Sequence, residues 1–108
     1  MLFRSDRFRV ADIAVWRAPA APRRGVATIA PLLAIEILSP EDRLVRMQPK
    51  VQEYLQMGVR CVWLIDPYER QALVYAPEMP GGAPAHALEL IEPPLSISLE
   101  GLWAALDA

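Results

Sequence analysis

The sequence has few of the residues that build disulfides or zinc sites, because its 108 residues include one cysteine and one histidine. A disulfide framework and a cysteine zinc site are therefore excluded. No uninterrupted apolar stretch approaches the roughly 20 residues that a membrane-spanning helix needs. No charged segment followed by an apolar leader ends in a cleavage site. We therefore expect a cytoplasmic protein with no membrane partner.

Lysine is almost absent as well, since Lys50 stands against ten arginines. The net charge of −2 and the pI near 5.3 argue against a polycation that coats nucleic acid. The charge is nevertheless uneven: residues 1–30 carry six arginines and two acidic residues, and residues 61–108 carry one arginine and seven acidic residues. An ordinary solvated surface would account for this asymmetry, and so would an N-terminal half that faces phosphate.

The length and the central pattern together predict one α/β (α+β) domain over residues 1–108. Leu32–Leu38 is an apolar run, short enough to be a strand buried on both faces. Arg46–Met57 has the pattern of an amphipathic helix ending at Gly58, and Val59–Ile65 that of a second buried strand. Strand, helix and strand form the core unit.

The flanking segments have weaker patterns. We predict a strand over Phe8–Trp16, a hairpin strand over Gln71–Tyr75, a loop over Pro77–Pro84, short strands over Leu88–Ile91 and Leu95–Ile97, and a closing helix over Leu99–Leu106. Asp66 is expected to accept hydrogen bonds within its own turn.

Glu36 is the exceptional residue of the core unit. A carboxylate in a strand buried on both faces is unfavourable by several kcal/mol unless it is paired, protonated or bound to a cation. The strand predicted before it carries Asp12. If the two strands lie side by side, Asp12 and Glu36 can project to the same side and share a divalent cation.

Lys50 lies at the border of the apolar stripe of the predicted helix, on the side of Tyr54. Spacing alone favours a side chain that directs its ammonium group to water. Pro49 would remove an internal hydrogen bond, so we predict that the helix begins near Arg46 to Gln48. Two carboxylates and a lysine suit metal-assisted phosphodiester hydrolysis, although such a set also occurs by chance.

Several motifs together carry a more specific signal. They are Ile35-Glu36-Ile37-Leu38-Ser39-Pro40, Lys50, Tyr54, Gly58-Val59 and Val62-Trp63-Leu64-Ile65-Asp66-Pro67, preceded by Arg9-Val10-Ala11-Asp12-Ile13-Ala14-Val15. The chain from about Arg9 to Leu106 closely resembles the Uma family of restriction endonucleases. That family belongs to the PD-(D/E)XK nuclease superfamily and has a restriction-endonuclease-like fold.

The resemblance implies a mixed sheet flanked by helices and a Mg²⁺-dependent or Mn²⁺-dependent endonuclease that hydrolyses DNA. Asp12, Glu36 and the carbonyl of Ile37 would bind the metal. Asp12, Glu36 and Lys50 would form the catalytic set, with Lys50 assisting the attacking water, and N-terminal arginines would contact phosphate. Tyr54 would support or pack against this set.

The chain departs from the family pattern in three places. Ala11 stands where proline is usual, Pro49 directly precedes Lys50, and the family's first helix and strand are expected to be missing. An open sheet edge would then favour a fragment, a shortened reading frame or an obligate homodimer.

Two other interpretations stay open at this stage. The chain could be a truncated, inactive nuclease-like domain that acts as a nucleic-acid-binding or dimerisation module. It could also be a structural domain whose carboxylates form buried salt bridges with Arg9 or Lys50.

Overall fold

The computed structural model describes residues 2–4, 8–10, 12–16, 30–39, 44–90 and 95–107. Its elements follow in the order β1 (Leu2–Arg4), β2 (Phe8–Val10), β3 (Ile13–Val15), β4 (Leu33–Ile37), α1 (Leu44–Gln56), β5 (Cys61–Asp66), β6 (Gln71–Ala76), β7 (Met79–Pro84), β8 (Ala87–Leu90), β9 (Leu95–Ser98) and α2 (Leu99–Asp107). The predicted α/β (α+β) class, a mixed sheet with helices, is confirmed.

A five-stranded sheet with the order β3-β4-β5-β6-β7 forms the centre. Strands β4 and β5 are parallel, and α1 connects them, as the central pattern predicted. The pairs β3 with β4, β5 with β6 and β6 with β7 are antiparallel. The pairs β1 with β2 and β8 with β9 form two small sheets of their own.

Both faces of the central sheet are covered, which explains the continuous apolar character of β4 and β5. One face packs under α1, with a core of Ala34, Leu38, Met47, Val51, Tyr54, Val59, Val62, Leu64 and Tyr75. The opposite face packs against β8, β9 and α2, with a core of Leu33, Ile35, Trp63, Ile65, Ala72 and Leu88. Within the described residues, no helix has the length and apolar character needed to cross a membrane.

The predicted strand over Phe8–Trp16 is wrong, because the chain bends at Asp12. The residues before the bend pair with β1, and those after it pair with β4. At the bend, the Asp12 carboxylate accepts a hydrogen bond from the backbone N–H of Ile37 at 2.8 Å. In a continuous pair of strands, a backbone carbonyl of the neighbouring strand would accept this N–H. Here the side chain of Asp12 takes its place.

The helix begins at Leu44, two residues before the earliest predicted start, and Pro49 lies inside it. Proline lacks the N–H that would bond to the carbonyl four residues earlier. Pro49 itself lies on an exposed part of the helix. The buried stripe formed by Met47, Val51 and Tyr54 on the other side of the helix offsets this cost.

The predicted loop over Pro77–Pro84 is also wrong, because Met79–Pro84 forms β7 at one edge of the sheet. Prolines are compatible with an edge strand, since one side of its backbone has no ladder to complete. Gly82 has a φ of +77°, and a Cβ there would overlap the ring of Tyr75, 2.7 Å from Cδ2. Glycine is therefore required where β7 crosses this buried tyrosine.

Gly82→Ala should destabilise the protein by about 2–5 kcal/mol, because the cost of a left-handed residue, about 1–2 kcal/mol, adds to overpacking of about 1–3 kcal/mol. Gly81→Ala is the matched control, since a Cβ at Gly81 meets nothing within 4 Å. Urea unfolding followed by circular dichroism measures both variants. Equal stability of the two variants would contradict this account of Gly82.

Candidate active site

Glu36 projects from β4 toward the face of the sheet that α1 covers. Ala34 and Leu38, its neighbours on that face, belong to the core under α1, because alternate residues of a strand share a face. Only 3% of Glu36 is exposed. Its carboxyl group therefore depends mainly on protein groups for hydrogen bonds.

Two side chains of α1 contact the same oxygen of this carboxyl group. The Tyr54 hydroxyl donates a hydrogen bond of 2.5 Å to Glu36 Oε1, and Lys50 Nζ lies 3.0 Å from that oxygen. Residues four apart lie on the same side of a helix, and Lys50 Nζ is 5.8 Å from the centre of the Tyr54 ring. The Lys50 side chain remains 30% exposed, so its ammonium group reaches both the buried carboxylate and solvent.

Burial raises the pKa of the Glu36 carboxyl group above its ordinary value of 4.5. Hydrogen bonds from Tyr54 and Lys50 and the positive charge of Lys50 lower this pKa, and the negative charge of Asp12 raises it, but burial is the largest effect. The carboxyl group therefore keeps its proton to a higher pH than an exposed glutamate does. A further cation beside it would favour the ionised form.

Asp12 lies at the bend before β3, next to the end of β4. The antiparallel register pairs Ile13 with Ile35, so the next position, Asp12, lies next to Glu36. Its carboxylate is exposed, unlike that of Glu36, and holds the N–H of Ile37 at 2.8 Å. The expected adjacency of the two strands is confirmed, and Asp12 and Glu36 lie close enough for their charges to interact.

Two glutamines of α1 form hydrogen bonds to β6 and β7. The sequence pattern did not single them out. Gln48 Nε2 donates to the Tyr75 hydroxyl at 2.7 Å, and Gln52 Nε2 donates to the carbonyl of Pro80 at 2.6 Å. The sequence signal that could have identified this pair is its spacing of four residues, because that spacing places both glutamines on one side of the helix. These bonds help to hold α1 in the position that brings Lys50 to Glu36.

Residues 1–107 match the family model described as "Uma2: Putative restriction endonuclease". The chain belongs to the Uma2 family. A comparison with curated proteins finds no match.

The structure is also similar to the crystal structure of a protein of DUF820 from Anabaena variabilis ATCC 29413, described as a putative nuclease. The TM-score is 0.75, the sequence identity is 28%, and the match covers 96% of this chain and 64% of that one. This Uma2 chain therefore spans less than two thirds of the length of that protein. The descriptions of the family and of that protein both name a nuclease.

The acidic side chains of this Uma2 family member offer oxygen atoms, not nitrogen or sulfur atoms. Within the described residues, no three histidine, cysteine, aspartate or glutamate side chains come together. Asp66 is buried, and its Oδ1 accepts from the N–H groups of Tyr68 at 2.9 Å and Glu69 at 3.0 Å, which confirms its predicted turn role. Asp12 and Glu36 are therefore the acidic pair at the end of β4.

His86, the single histidine, is exposed, and burial raises the pKa of the thiol of Cys61, the single cysteine. The alternative salt bridge of Arg9 and the expected phosphate contacts of the N-terminal arginines fall on side chains that the structure does not describe.

Proposed function

We propose that this chain carries the catalytic site of a Mg²⁺-dependent or Mn²⁺-dependent endonuclease that hydrolyses phosphodiester bonds in DNA. The observation that carries the proposal is the buried Glu36 carboxylate, held by Lys50 and Tyr54 and lying beside Asp12 at the end of β4. A core strand would gain stability from an apolar residue at this position. A buried carboxylate with a charged partner at such a position is instead typical of a site that serves chemistry.

The donor atoms fit a hard divalent cation. Asp12 and Glu36 offer carboxylate oxygens, which Mg²⁺ and Mn²⁺ prefer. The N–H of Ile37 donates to Asp12, and in a strand the N–H and the C=O of one residue point to the same neighbouring strand. The Ile37 carbonyl therefore faces the edge where Asp12 lies, so Asp12, Glu36 and Ile37 form the proposed ligand set.

Lys50 is suited to the substrate side of this site. Its ammonium group has three donors and contacts Glu36 Oε1, while its exposure leaves room for donors to reach a water molecule or a phosphate oxygen. We assign to Lys50 the orientation of the attacking water and the screening of negative charge on the phosphate. A bound Mg²⁺ or Mn²⁺ ion would supply a water of lowered pKa and would polarise the phosphate.

DNA is the proposed substrate because the family description names restriction endonucleases. Arg46 supports a phosphate-binding role for this surface, since it is exposed and lies one helical turn before Lys50. A homodimer, in which two such sites would act on two strands, stays a prediction.

The Lys50–Glu36 ion pair also fits the interpretation as a structural domain. In that case Mg²⁺ would leave the melting temperature unchanged, whereas a cation bound to the folded state would raise it. An inactive nucleic-acid-binding module would instead bind DNA in a salt-dependent way without cutting it, and loss of Glu36 would not change that binding.

The test is nicking of supercoiled plasmid by the purified chain with Mg²⁺ or Mn²⁺, beside Glu36→Ala prepared in the same way. We expect nicking by the parent, none in EDTA and none by Glu36→Ala, with circular dichroism confirming that both proteins are folded. A folded parent that binds plasmid but does not cut it with any divalent metal would contradict the proposal and favour the inactive module.

A further inference from the structure

Tyr54 belongs to the site and not only to the core. We propose that Tyr54 is a positioning residue whose hydroxyl, together with Lys50, occupies Oε1 of Glu36 and thereby presents Oε2 to the divalent cation. This inference rests on the proposed function, because it concerns the same metal site. It is carried by the sharing of one carboxylate oxygen between two donors from one helix.

The two oxygens of Glu36 have different surroundings. Oε1 takes the hydroxyl of Tyr54 at 2.5 Å and the ammonium group of Lys50 at 3.0 Å. Within the described part of the chain, the structure gives Oε2 no hydrogen bond or ion pair of its own. Because a carboxylate is planar, fixing Oε1 on two partners also fixes the direction of Oε2. Oε1 is therefore bonded to protein groups, and Oε2 is available to a ligand.

Tyr54 is better suited than Lys50 to fix this direction. Its side chain is fully buried and packs in the core under α1 with Val51 and Val59. A tyrosine has a rigid ring and two rotatable bonds before its ring ends, so its hydroxyl position follows from the packing of the ring. Lysine has a flexible four-carbon stem, and Lys50 is partly exposed. Lys50 supplies charge, and Tyr54 supplies orientation.

The supporting partners of metal-binding carboxylates commonly affect affinity by about 10-fold to 100-fold. Removing the hydroxyl alone should free the Glu36 carboxyl group to turn about its bond and to present either oxygen. Tyr54→Phe should therefore weaken Mn²⁺ binding by about 10-fold to 100-fold, while the phenyl ring keeps the packing of the helix.

Tyr75→Phe is the matched control. Tyr75 is 1% exposed, lies in the same core, and its hydroxyl is engaged by Gln48 rather than by Glu36. Both substitutions remove one buried hydroxyl, so a purely structural effect should lower the melting temperature of the two metal-free variants similarly. Mn²⁺ affinity at a temperature well below melting is the quantity that only a positioning role should change.

The experiment is calorimetric titration of Mn²⁺ into the full chain, Tyr54→Phe and Tyr75→Phe at one pH. Weaker binding by Tyr54→Phe, with Tyr75→Phe unchanged, supports the inference. Equal affinity of Tyr54→Phe and the parent, or an equal loss in both variants, overturns it and leaves the proposed function standing. If the parent binds no Mn²⁺ at millimolar concentration, the metal site itself is wrong and both proposals are overturned.

A second measurement uses the parent chain and does not depend on the folding of a variant. The hydroxyl proton of Tyr54 should exchange slowly with water in proton NMR, because it is buried and bonded to Oε1. We expect this protection to persist when Mg²⁺ is added. Its loss on Mg²⁺ binding would mean that Tyr54 leaves Oε1 in the loaded state, which would overturn the positioning role.

Discussion

Replacing Glu36 with glutamine should raise the melting temperature of the metal-free protein at neutral pH while nearly abolishing the proposed plasmid cleavage. Glutamine keeps the size of the side chain and an oxygen that accepts from Tyr54, but it carries no charge to bury. We expect a gain of about 1 kcal/mol, equivalent to about 4–8 °C for a domain of this size. Cleavage should fall by about 10³-fold, because an amide is a poor ligand for a hard cation.

The sign of the stability change depends on pH. Burial raises the pKa of Glu36 in the folded protein above the ordinary value of 4.5, so the folded state binds more protons than the unfolded state between these two values. Stability conferred by this group is therefore lost as the pH rises through that window and stays low above it. Below pH 4.5 the carboxyl group is protonated in both states, and the advantage of Glu36→Gln should disappear.

Thermal unfolding in EDTA across this pH range measures the effect. Glu89→Gln is the matched control, since Glu89 is exposed on β8 and its substitution should not change stability with this pH dependence. A Glu36→Gln variant that is less stable than the parent at neutral pH would mean that the Lys50 ion pair outweighs burial. Saturating Mg²⁺ should reverse the order, because only the parent is stabilised by the cation.

The second large effect is expected from Lys50→Met, which removes the ammonium group and keeps most of the aliphatic stem. Glu36 would then be left as a buried carboxylate without its cation. Breaking a fully buried pair costs about 3–5 kcal/mol, but Lys50 is 30% exposed, so we expect a loss of about 1–3 kcal/mol at neutral pH. Cleavage should fall by about 10²-fold, as for removal of one preorganised electrostatic donor.

Arg46→Met is the control for Lys50→Met. It removes the same charge one turn earlier on α1, from an exposed position, so the free energy of unfolding should change little. Urea unfolding in EDTA gives this free energy for each variant. Equal stability of Lys50→Met and the parent would mean that the ion pair contributes nothing in the metal-free protein.

A double variant separates the loss of the pair from the cost of an isolated charge. In Glu36→Gln with Lys50→Met, neither charge remains, so the loss caused by Lys50→Met alone should be largely recovered. A coupling free energy of about 1–3 kcal/mol would measure the interaction. Additive effects would instead mean that the loss caused by Lys50→Met does not depend on the charge of Glu36.

Several features of the core were predictable from local pattern. An apolar run without alternation is typical of a strand covered on both faces, and β4 and β5 are such strands. The apolar spacing of α1 predicted its buried side, and the four-residue spacing placed Lys50 beside Tyr54. The resemblance of these motifs to the Uma family was confirmed by the family comparison.

The errors in the prediction arose where contacts distant in the sequence override local preference. Met79–Pro84 is rich in proline and glycine, yet it forms a strand because β6 offers an edge to pair with. The segment over Phe8–Trp16 has one continuous pattern, but the bond between Asp12 and Ile37, 25 residues away, accompanies its division into two strands. Pro49 is accepted inside α1 because the helix is stabilised mainly by packing on the sheet.

The sequence by itself determined which residues are exceptional: a carboxylate in a strand buried on both faces, a second carboxylate before it, and one lysine among many arginines. Their chemical types limit what these residues offer to carboxylate oxygens and one ammonium group. Only the tertiary structure decided that Lys50 and Tyr54 share one oxygen of Glu36. Spacing along a chain defines which residues share a face, whereas the partner of each atom depends on how a helix packs across strands distant in the sequence.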